Sequence, residues 1–168
     1  MYGPLYTFLA NDHRRLDSLL EQSLTQSNEI KTAAYEKFRA GILKHISMEE
    51  KILFPAIQRW RKGEPLPIAA KLRLDHGAIA ALLVPTPTPT IIRALRGILA
   101  QHDLLEEQAE GVYDVLDQLA GAEAEALLAK LGDAPDVPVA QHVTKPSVLN
   151  ATRRALARAG YNLSDYEQ

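Results

Sequence analysis

The stretch KHISMEEKILFPAI, residues 44–57, places a histidine and a glutamate on the apolar side of a predicted helix. His45 and Glu49 are four residues apart, so both side chains lie on one face, about 6 Å apart along the axis. Charged side chains are rarely buried without partners. The chain must therefore fold so that this face either meets water or meets groups that bind both side chains. The stripe to which they belong comprises Tyr35, Phe38, Ile42, His45, Glu49, Ile52 and Ala56.

The same arrangement recurs later in the chain. His102 and Glu106 lie midway along another apolar stripe, and two further predicted helices carry a single stripe histidine each, His13 and His76. One histidine followed by a His-x-x-x-Glu pair thus occurs twice, which predicts a pseudo-two-fold axis. Stripes at spacings of three and four residues are typical of bundle helices. The three stripes are Leu5, Leu9, His13, Leu16 and Leu20; Leu72, His76, Ile79 and Leu83; and Leu95, Leu99, His102, Glu106, Ala109, Tyr113 and Leu116.

Helical periodicity dominates the sequence, and no segment shows convincing strand alternation. Asn28 is predicted to cap the second helix, and Pro55 is predicted to bend or break it, because proline removes a backbone donor and its predecessor avoids the helical region. Long helices with short connections predict an all-α fold, an up-down-up-down four-helix bundle. The predicted helices span about residues 4–23, 29–61, 67–83 and 91–119.

The pattern changes after Gly121, which predicts two parts. Residues 1–121 are expected to form the bundle, and residues 122–168 a C-terminal helical appendage packed on it. The last predicted helix, in PSVLNATRRALARAGY, carries three arginines. These either face solvent or contact a protein partner. They are Arg153, Arg154 and Arg158.

Composition excludes several classes of protein. The 168 residues carry a formal net charge of −2, which gives no electrostatic reason to expect nucleic acid. There is no cysteine, so disulfides, thiolate ligands and thiol nucleophiles are excluded. No apolar run approaches the roughly 20 residues that span a bilayer, and the N-terminus lacks a basic region typical of signal peptides. We therefore expect a cytoplasmic protein that does not enter a membrane.

Two carboxylates and four imidazoles in one core would be costly without compensation. A metal site would remove that cost, whereas the alternative is a purely structural role for each side chain. Six ligands exceed what one tetrahedral zinc needs, and they suit two ions bridged by the carboxylates. Imidazole with carboxylate suits iron, manganese or zinc, and the absence of sulfur disfavours copper(I). The candidate ligands are His13, His45, Glu49, His76, His102 and Glu106.

At these residues the chain resembles the hemerythrin-like, or HHE cation-binding, family. The resemblance covers about residues 5–120 and includes His13, H45-ISM-E49 with the following LFP, D75-H76 and H102-DLL-E106. It implies a four-helix bundle with two metal ions, each bound by one pair of histidines. By this resemblance His13 and His45 bind one ion, His76 and His102 the other, and Glu49 and Glu106 bridge them.

Two neighbouring glutamates are open to other interpretations. Glu107 is the rival bridge to Glu106, and Glu50 is expected to be solvated. Tyr6 and Tyr113 are expected at one end of the bundle, about 10 Å from the metals. There they either line an entry route or serve as ordinary core aromatics.

Oxygen-carrying hemerythrins have two histidines one turn apart on the third helix, whereas Leu72 and Ala80 are the neighbours of His76 here. The ligand pattern is more similar to the di-iron domain of iron–sulfur cluster repair proteins, whose cysteine-bearing N-terminal segment has no counterpart in this sequence. The resemblance implies a di-iron protein that responds to O₂, nitric oxide or peroxide, or that handles iron. The alternatives are an iron-sensing or storage module, or a structural zinc bundle that acts as a scaffold. The sequence leaves open whether the protein is an enzyme.

Overall fold

The computed structural model describes residues 2–167. Within them, every regular secondary-structure element is a helix. The all-α bundle prediction is therefore confirmed. A π-helical segment, Glu49–Leu53, joins α2 to α3, and short 3₁₀ turns lie at Gly121–Glu123 and Leu163–Tyr166. The α-helices are α1 Pro4–Gln22, α2 Thr32–Met48, α3 Phe54–Trp60, α4 Ala69–Leu82, α5 Pro89–Glu107, α6 Val112–Ala120, α7 Ala124–Gly132 and α8 Pro146–Ala159.

The second helix begins later than predicted, and Asn28 does not cap it. Residues 25–29 form a turn instead, in which the Thr25 amide donates to the Glu29 carbonyl at 2.9 Å. Asn28 adopts a left-handed conformation with φ of 61°. Leu24 and Ile30 pair on either side of this turn as an isolated bridge. The turn occupies the residues that periodicity assigned to the first helical turn, so α2 starts only at Thr32.

Pro55 interrupts the regular α-helical hydrogen bonding, as predicted, but the interruption is a widened turn. The Phe54 amide donates to the carbonyl of Glu49, five residues earlier, which is the π-helical pattern. Phe54 stays in the right-handed helical region, with φ of −61° and ψ of −41°, so the expectation that it would leave that region is wrong. The widened turn begins at Glu49, a candidate ligand. Such turns occur frequently at functional sites.

The fourth predicted helix is in fact two helices, α5 and α6. Gln108 is extended, with φ of −62° and ψ of 162°, and Glu110 is left-handed, with φ of 61°. The chain then passes close to itself at Gly111, where a β-carbon would lie 2.6 Å from the Glu106 carbonyl oxygen. Only glycine fits this approach, so the break depends on Gly111. The break changes the direction of the chain, so that α6 starts toward the bundle interior.

Two apolar clusters make up the core, and a layer of buried polar side chains separates them. Along α1, Leu9 belongs to one cluster and Leu16 to the other, with His13 between them. The helix α1 packs on α2 and α5, and α4 packs on α5. The members of both clusters are almost fully buried. The polar centre of the bundle therefore lies between two apolar clusters.

The C-terminal segment packs on the bundle. The helix α8 lies against α4, and Leu156 joins the cluster that contains Leu16. Thr152 donates its hydroxyl to the Ala81 carbonyl at 3.1 Å. The helix α7 adds Leu127 to the other cluster. The division of the chain at residue 121 stays a prediction. Among residues 2–167, no helix combines the length and the apolar character that crossing a bilayer requires.

Candidate metal centre

The six predicted ligands lie together in the polar layer. His13 comes from α1, His45 from α2, Glu49 from the π-helical segment and His76 from α4, while His102 and Glu106 come from α5. None of these side chains belongs to a residue more than 4% exposed. They form two groups, in each of which the potential donor atoms lie within 4.8 Å of one another. The first group is His13, His45, Glu49 and Glu106; the second is Glu49, His76, His102 and Glu106.

Each shared glutamate turns one oxygen toward each group. In the first group, Glu49 Oε1 lies 3.2 Å from Nε2 of His45. Its other oxygen, Oε2, lies 3.0 Å from Nε2 of His76 in the second group. Glu106 behaves likewise, since Oε2 lies 3.4 Å from His13 Nε2 and Oε1 lies 3.3 Å from His102 Nε2. The two carboxylates are therefore oriented as bridges between two positions.

All four histidines direct Nε2 inward because a carboxylate binds the opposite ring nitrogen. Such a partner fixes the tautomer and the ring orientation of a metal-binding histidine. The helical stripes of the sequence do not predict these four partners. The pairs are His13 Nδ1 with Glu107 Oε1 at 2.6 Å, His45 Nδ1 with Asp12 Oδ2 at 2.8 Å, His76 Nδ1 with Glu50 Oε1 at 2.7 Å, and His102 Nδ1 with Asp75 Oδ2 at 3.4 Å.

A sequence signal for these partners exists in the internal repeat. An aspartate precedes the single histidine in both Asp-His pairs, and a second glutamate follows the bridging one in both Glu-Glu pairs. Each aspartate binds the histidine on the following histidine-bearing helix: Asp12 binds His45, and Asp75 binds His102. The expectation that Glu50 is solvated is wrong, because it binds His76 and accepts from Arg73 Nε at 3.1 Å.

Glu107 lies outside both groups that share the glutamates. Its side chain binds the outer nitrogen of His13 and is paired with Arg14. It does belong to a third, smaller group of potential donors with His13 and Asp103. Of these two neighbouring glutamates, Glu106 alone directs oxygens toward both main groups, so the geometry favours Glu106 over Glu107 as the bridge.

The surrounding carboxylates raise the pKa of each of the four imidazoles, against the effect of burial. Burial lowers the pKa of His13, but hydrogen bonds to Glu106 and Glu107 outweigh it and raise the pKa to about 10. Burial likewise opposes the charged form of His45, but Glu49 and Asp12 raise its pKa to about 9. Burial raises the pKa of Glu49, but His45 and His76 hold it well below its usual value. The ionised carboxylates thus require positive charge in the centre, which protons or a metal would supply.

Three buried atoms at the centre have no hydrogen-bond partner among the described residues. They are Glu49 Oε2, Glu106 Oε1 and His76 Nε2. Glu49 Oε2 and His76 Nε2 are 3.0 Å apart, yet they are not aligned as donor and acceptor. An unpaired buried polar group costs roughly 1–3 kcal/mol. All three atoms belong to the second group, and a cation there would satisfy them together, so the residues fit a metal site.

Tyr113 lies inside the centre, whereas the sequence analysis placed it about 10 Å from the metals on the assumption of one continuous helix. The break before α6 explains the difference. Its ring is fully buried, and its hydroxyl lies 2.6 Å from Glu49 Oε1 and 3.0 Å from Glu106 Oε2. The hydroxyl also lies 2.9 Å from His13 Nε2 and 3.2 Å from His45 Nε2. These four atoms all belong to residues of the first group.

Tyr6 shares this end of the bundle with Tyr113, as predicted. The two rings meet edge to face, with centroids 6.0 Å apart. The Tyr6 hydroxyl donates to the Glu107 carbonyl at 2.7 Å. Tyr6, Asp103 and Glu107 also line a surface cavity of about 540 Å³ between α1 and α5. Asp103 and Glu107 both contact His13, so this cavity reaches the outer side of the first group.

His142 lies outside the centre, in agreement with its place outside the helical stripes. Its Nε2 binds Glu36 Oε1 at 2.7 Å, and its Nδ1 binds the Pro85 carbonyl at 3.0 Å. It links the C-terminal loop to α2. Neither main group of potential donors includes it.

Comparison with family models supports the metal-binding interpretation. Residues 5–86 match the family model described as the hemerythrin HHE cation binding domain. The match includes the first His-x-x-x-Glu pair and both single histidines, His13 and His76. Neither the curated proteins nor the solved structures gave a significant match to the chain.

Proposed function

Because residues 5–86 belong to the hemerythrin HHE cation-binding family, we propose that the protein holds two iron ions in its polar layer. In this proposal the chain is a cytoplasmic protein whose di-iron centre responds to O₂, nitric oxide or peroxide during stress, or handles iron. His13 and His45 bind one ion, and His76 and His102 bind the other. Glu49 and Glu106 bridge them.

The orientation of the two shared glutamates carries this proposal. Each directs one oxygen to the first group and the other to the second, with nitrogen partners at 3.0–3.4 Å in all four directions. A site for one ion would need only one oxygen from each. Nitrogen and carboxylate donors without sulfur suit iron, and zinc or manganese would also be accepted.

The protein residues contribute position and charge to this centre. The outer carboxylates hold each imidazole as the tautomer whose Nε2 is free to bind. The two apolar clusters exclude water above and below the polar layer, which strengthens every electrostatic interaction within it. When bound, iron would supply redox chemistry and Lewis acidity toward a small ligand.

Metal analysis of freshly purified protein tests the proposal. We expect two iron ions per chain, near-ultraviolet absorption from a ferric pair, and a spectral change on addition of nitric oxide or peroxide. Chelator should lower the melting temperature, because metal bound to the native state stabilises it. Protein that is purified with iron available, binds no metal and ignores chelator would contradict the proposal and favour a purely structural core.

The burial of the six donors favours a second candidate function, a closed site that retains its metal. Such a site suits an iron-sensing or storage module, or a structural zinc bundle that acts as a scaffold. A protein partner would then bind the exposed face of α8. The arginines on that face are Arg153, Arg154 and Arg158. Metal-dependent melting without any spectral response to nitric oxide or peroxide would favour this candidate.

A further inference from the structure

The Tyr113 hydroxyl lies within hydrogen-bond distance of one inward-facing atom from each residue of the first group. Its distances to these atoms are 2.6 Å, 2.9 Å, 3.0 Å and 3.2 Å, and each atom comes from a different residue. No other hydroxyl group is within hydrogen-bond distance of these four atoms in the described part of the chain. The phenol oxygen is therefore a neighbour of the whole group and not of one partner.

Hydrogen bonds account for most of these contacts only when protons occupy Nε2 of the two imidazoles. A hydroxyl donates one proton, and ionised carboxylates only accept. The proton can go to Glu49, the nearest neighbour, which leaves the Glu106 oxygen at 3.0 Å without a proton between the two oxygens. Neutral imidazoles whose Nδ1 donates to the outer carboxylates also present an acceptor at Nε2. With the imidazoles neutral, as metal binding requires, at most one of the four contacts is a donated hydrogen bond, and a metal ion would satisfy the remainder.

Shared coordination accounts for the same distances. In an octahedral site with bonds of about 2.1 Å, adjacent donors are about 3 Å apart, and each donor has four adjacent ones. The four distances from the Tyr113 oxygen all lie near that value. We propose that Tyr113 is a fifth protein ligand, as phenolate, of the metal bound by the first group; this inference rests on the proposed dimetal function.

Ligation requires the phenol to lose its proton to solvent as the oxygen–metal bond forms. Without a cation, burial raises the pKa of Tyr113 well above its usual value, with a contribution from Glu106 and Glu49. A bound metal ion reverses that effect, because it becomes the largest local charge and favours the ionised ligand. Tyrosine is an established type of iron ligand, as in the haem site of catalase.

The second group has no counterpart of Tyr113. The residue seven positions after Glu49 is Ala56, whereas the residue seven positions after Glu106 is Tyr113. Phe54 lies beside His76 instead, with ring centroids 6.1 Å apart, and it offers no donor atom. The two halves of the repeat therefore provide five and four protein donors. An external small ligand would bind at the half with four donors, that of His76 and His102.

Optical and resonance Raman spectra of the iron(III)-loaded full chain test this inference. We expect a visible phenolate-to-iron(III) charge-transfer band, and tyrosinate vibrations when the Raman excitation falls within it. Tyr113→Phe should abolish both while the protein keeps its bound iron. Tyr6→Phe is the matched control, because Tyr6 contacts the Tyr113 ring and lies outside every donor group. It should retain both signals.

Wild-type protein alone also decides the question if Tyr113→Phe does not fold. Growth with ring-deuterated tyrosine should shift the tyrosinate vibrations of the iron(III) form. Iron(III) protein with two ions per chain but no tyrosinate signal would overturn the Tyr113 inference and leave the dimetal function standing. Protein that binds no iron would overturn both. Retention of the band in Tyr113→Phe would show that Tyr113 is not the ligand.

Discussion

Nδ1 of His76 lies 2.7 Å from Oε1 of Glu50, the residue directly after the shared carboxylate Glu49. Two adjacent residues of the π-helical segment thus contact the two ring nitrogens of His76. Glu49 faces Nε2, on the inner side, and Glu50 faces Nδ1, on the outer side. Arg73 binds the other oxygen of Glu50, at 3.1 Å. The charge of Glu50 is therefore shared between an inner imidazole and an outer guanidinium.

Replacement of Glu50 with glutamine should weaken metal binding at the second group. The amide still accepts a hydrogen bond from His76, but it lacks the negative charge that makes the imidazole a stronger ligand. Loss of such a partner typically lowers metal affinity 10–100-fold, so a fall of about that size is expected. Competition with a chromophoric chelator measures it. Glu64→Gln, at an exposed position, is the control, and equal affinities for the two variants would contradict the role of Glu50.

The six central side chains were predictable because two independent constraints agree. Apolar periodicity places His45 and Glu49 on the inner face of one helix, and the repeat places His102 and Glu106 on the inner face of another. The structure brings them together.

The incorrect predictions have local structural causes that apolar periodicity does not reveal. Glu50 lies just off the stripe, yet its side chain is long enough to reach His76 on α4. The start of α2 was missed because five residues close a turn that propensity does not distinguish from a helix start. The position of Tyr113 depends on a break at Gly111, where the backbone approaches itself. Tertiary contacts of this type decide where a helix ends, and they are not encoded by periodicity.

Gly111→Ala should disturb both stability and the centre. The added β-carbon would meet the backbone carbonyl oxygens of Glu106 and Gln108 at 2.6 Å and 2.7 Å, and backbone atoms cannot move aside easily. We expect a loss of about 1–3 kcal/mol in the free energy of unfolding, typical of forced overpacking. We also expect weaker tyrosinate signals, because α6 carries Tyr113. Urea unfolding of the metal-free protein measures the first effect.

Gly77→Ala provides the comparison for this variant. Gly77 is exposed within α4, and an added β-carbon meets nothing within 4 Å. Alanine should therefore stabilise the helix by about 0.5–1 kcal/mol. If the Gly111 variant is as stable as this one, the break between α5 and α6 does not depend on glycine.

Tyr35→Phe should stabilise the protein, and more so at alkaline pH. The Tyr35 hydroxyl is buried and has no hydrogen-bond partner among residues 2–167, so its removal should gain about 1 kcal/mol. Burial raises the pKa of Tyr35 above the usual value of 10.0. A raised pKa in the folded state gives a contribution to stability that is complete below pH 10 and is lost as the pH rises above it.

Phenylalanine does not titrate, so the stability difference between Tyr35→Phe and wild type should widen above pH 10. Urea unfolding at neutral and alkaline pH measures the difference. Tyr2→Phe is the control, because Tyr2 is 65% exposed. A Tyr35→Phe protein that is less stable than wild type at neutral pH would show that the hydroxyl has a partner.

Glu106→Gln and His13→Ala should affect metal content in different ways. Glutamine keeps the size of Glu106 but loses the charge and binds two cations poorly, so occupancy should fall at both positions. Of the two main groups, His13 belongs only to the first, so its replacement by alanine should mainly remove one ion per chain. Glu107→Gln should keep both ions bound with reduced affinity at the first group, because Glu107 contacts the outer nitrogen of His13. Metal content per chain and melting with and without chelator are the measurements.

Acid should release the metals from wild type, because only the neutral imidazole is a ligand and protons compete for its nitrogen. The Glu106→Gln protein should lose its metals at a higher pH than wild type, since its centre holds cations less tightly. The Glu107→Gln protein should release the ion of the first group at a higher pH than the ion of the second group, in a separate step. Metal content across a pH series distinguishes these patterns. If Glu106→Gln keeps two ions per chain and the wild-type melting temperature, Glu106 is not a bridge, and Glu107 with Asp103 becomes the alternative to test.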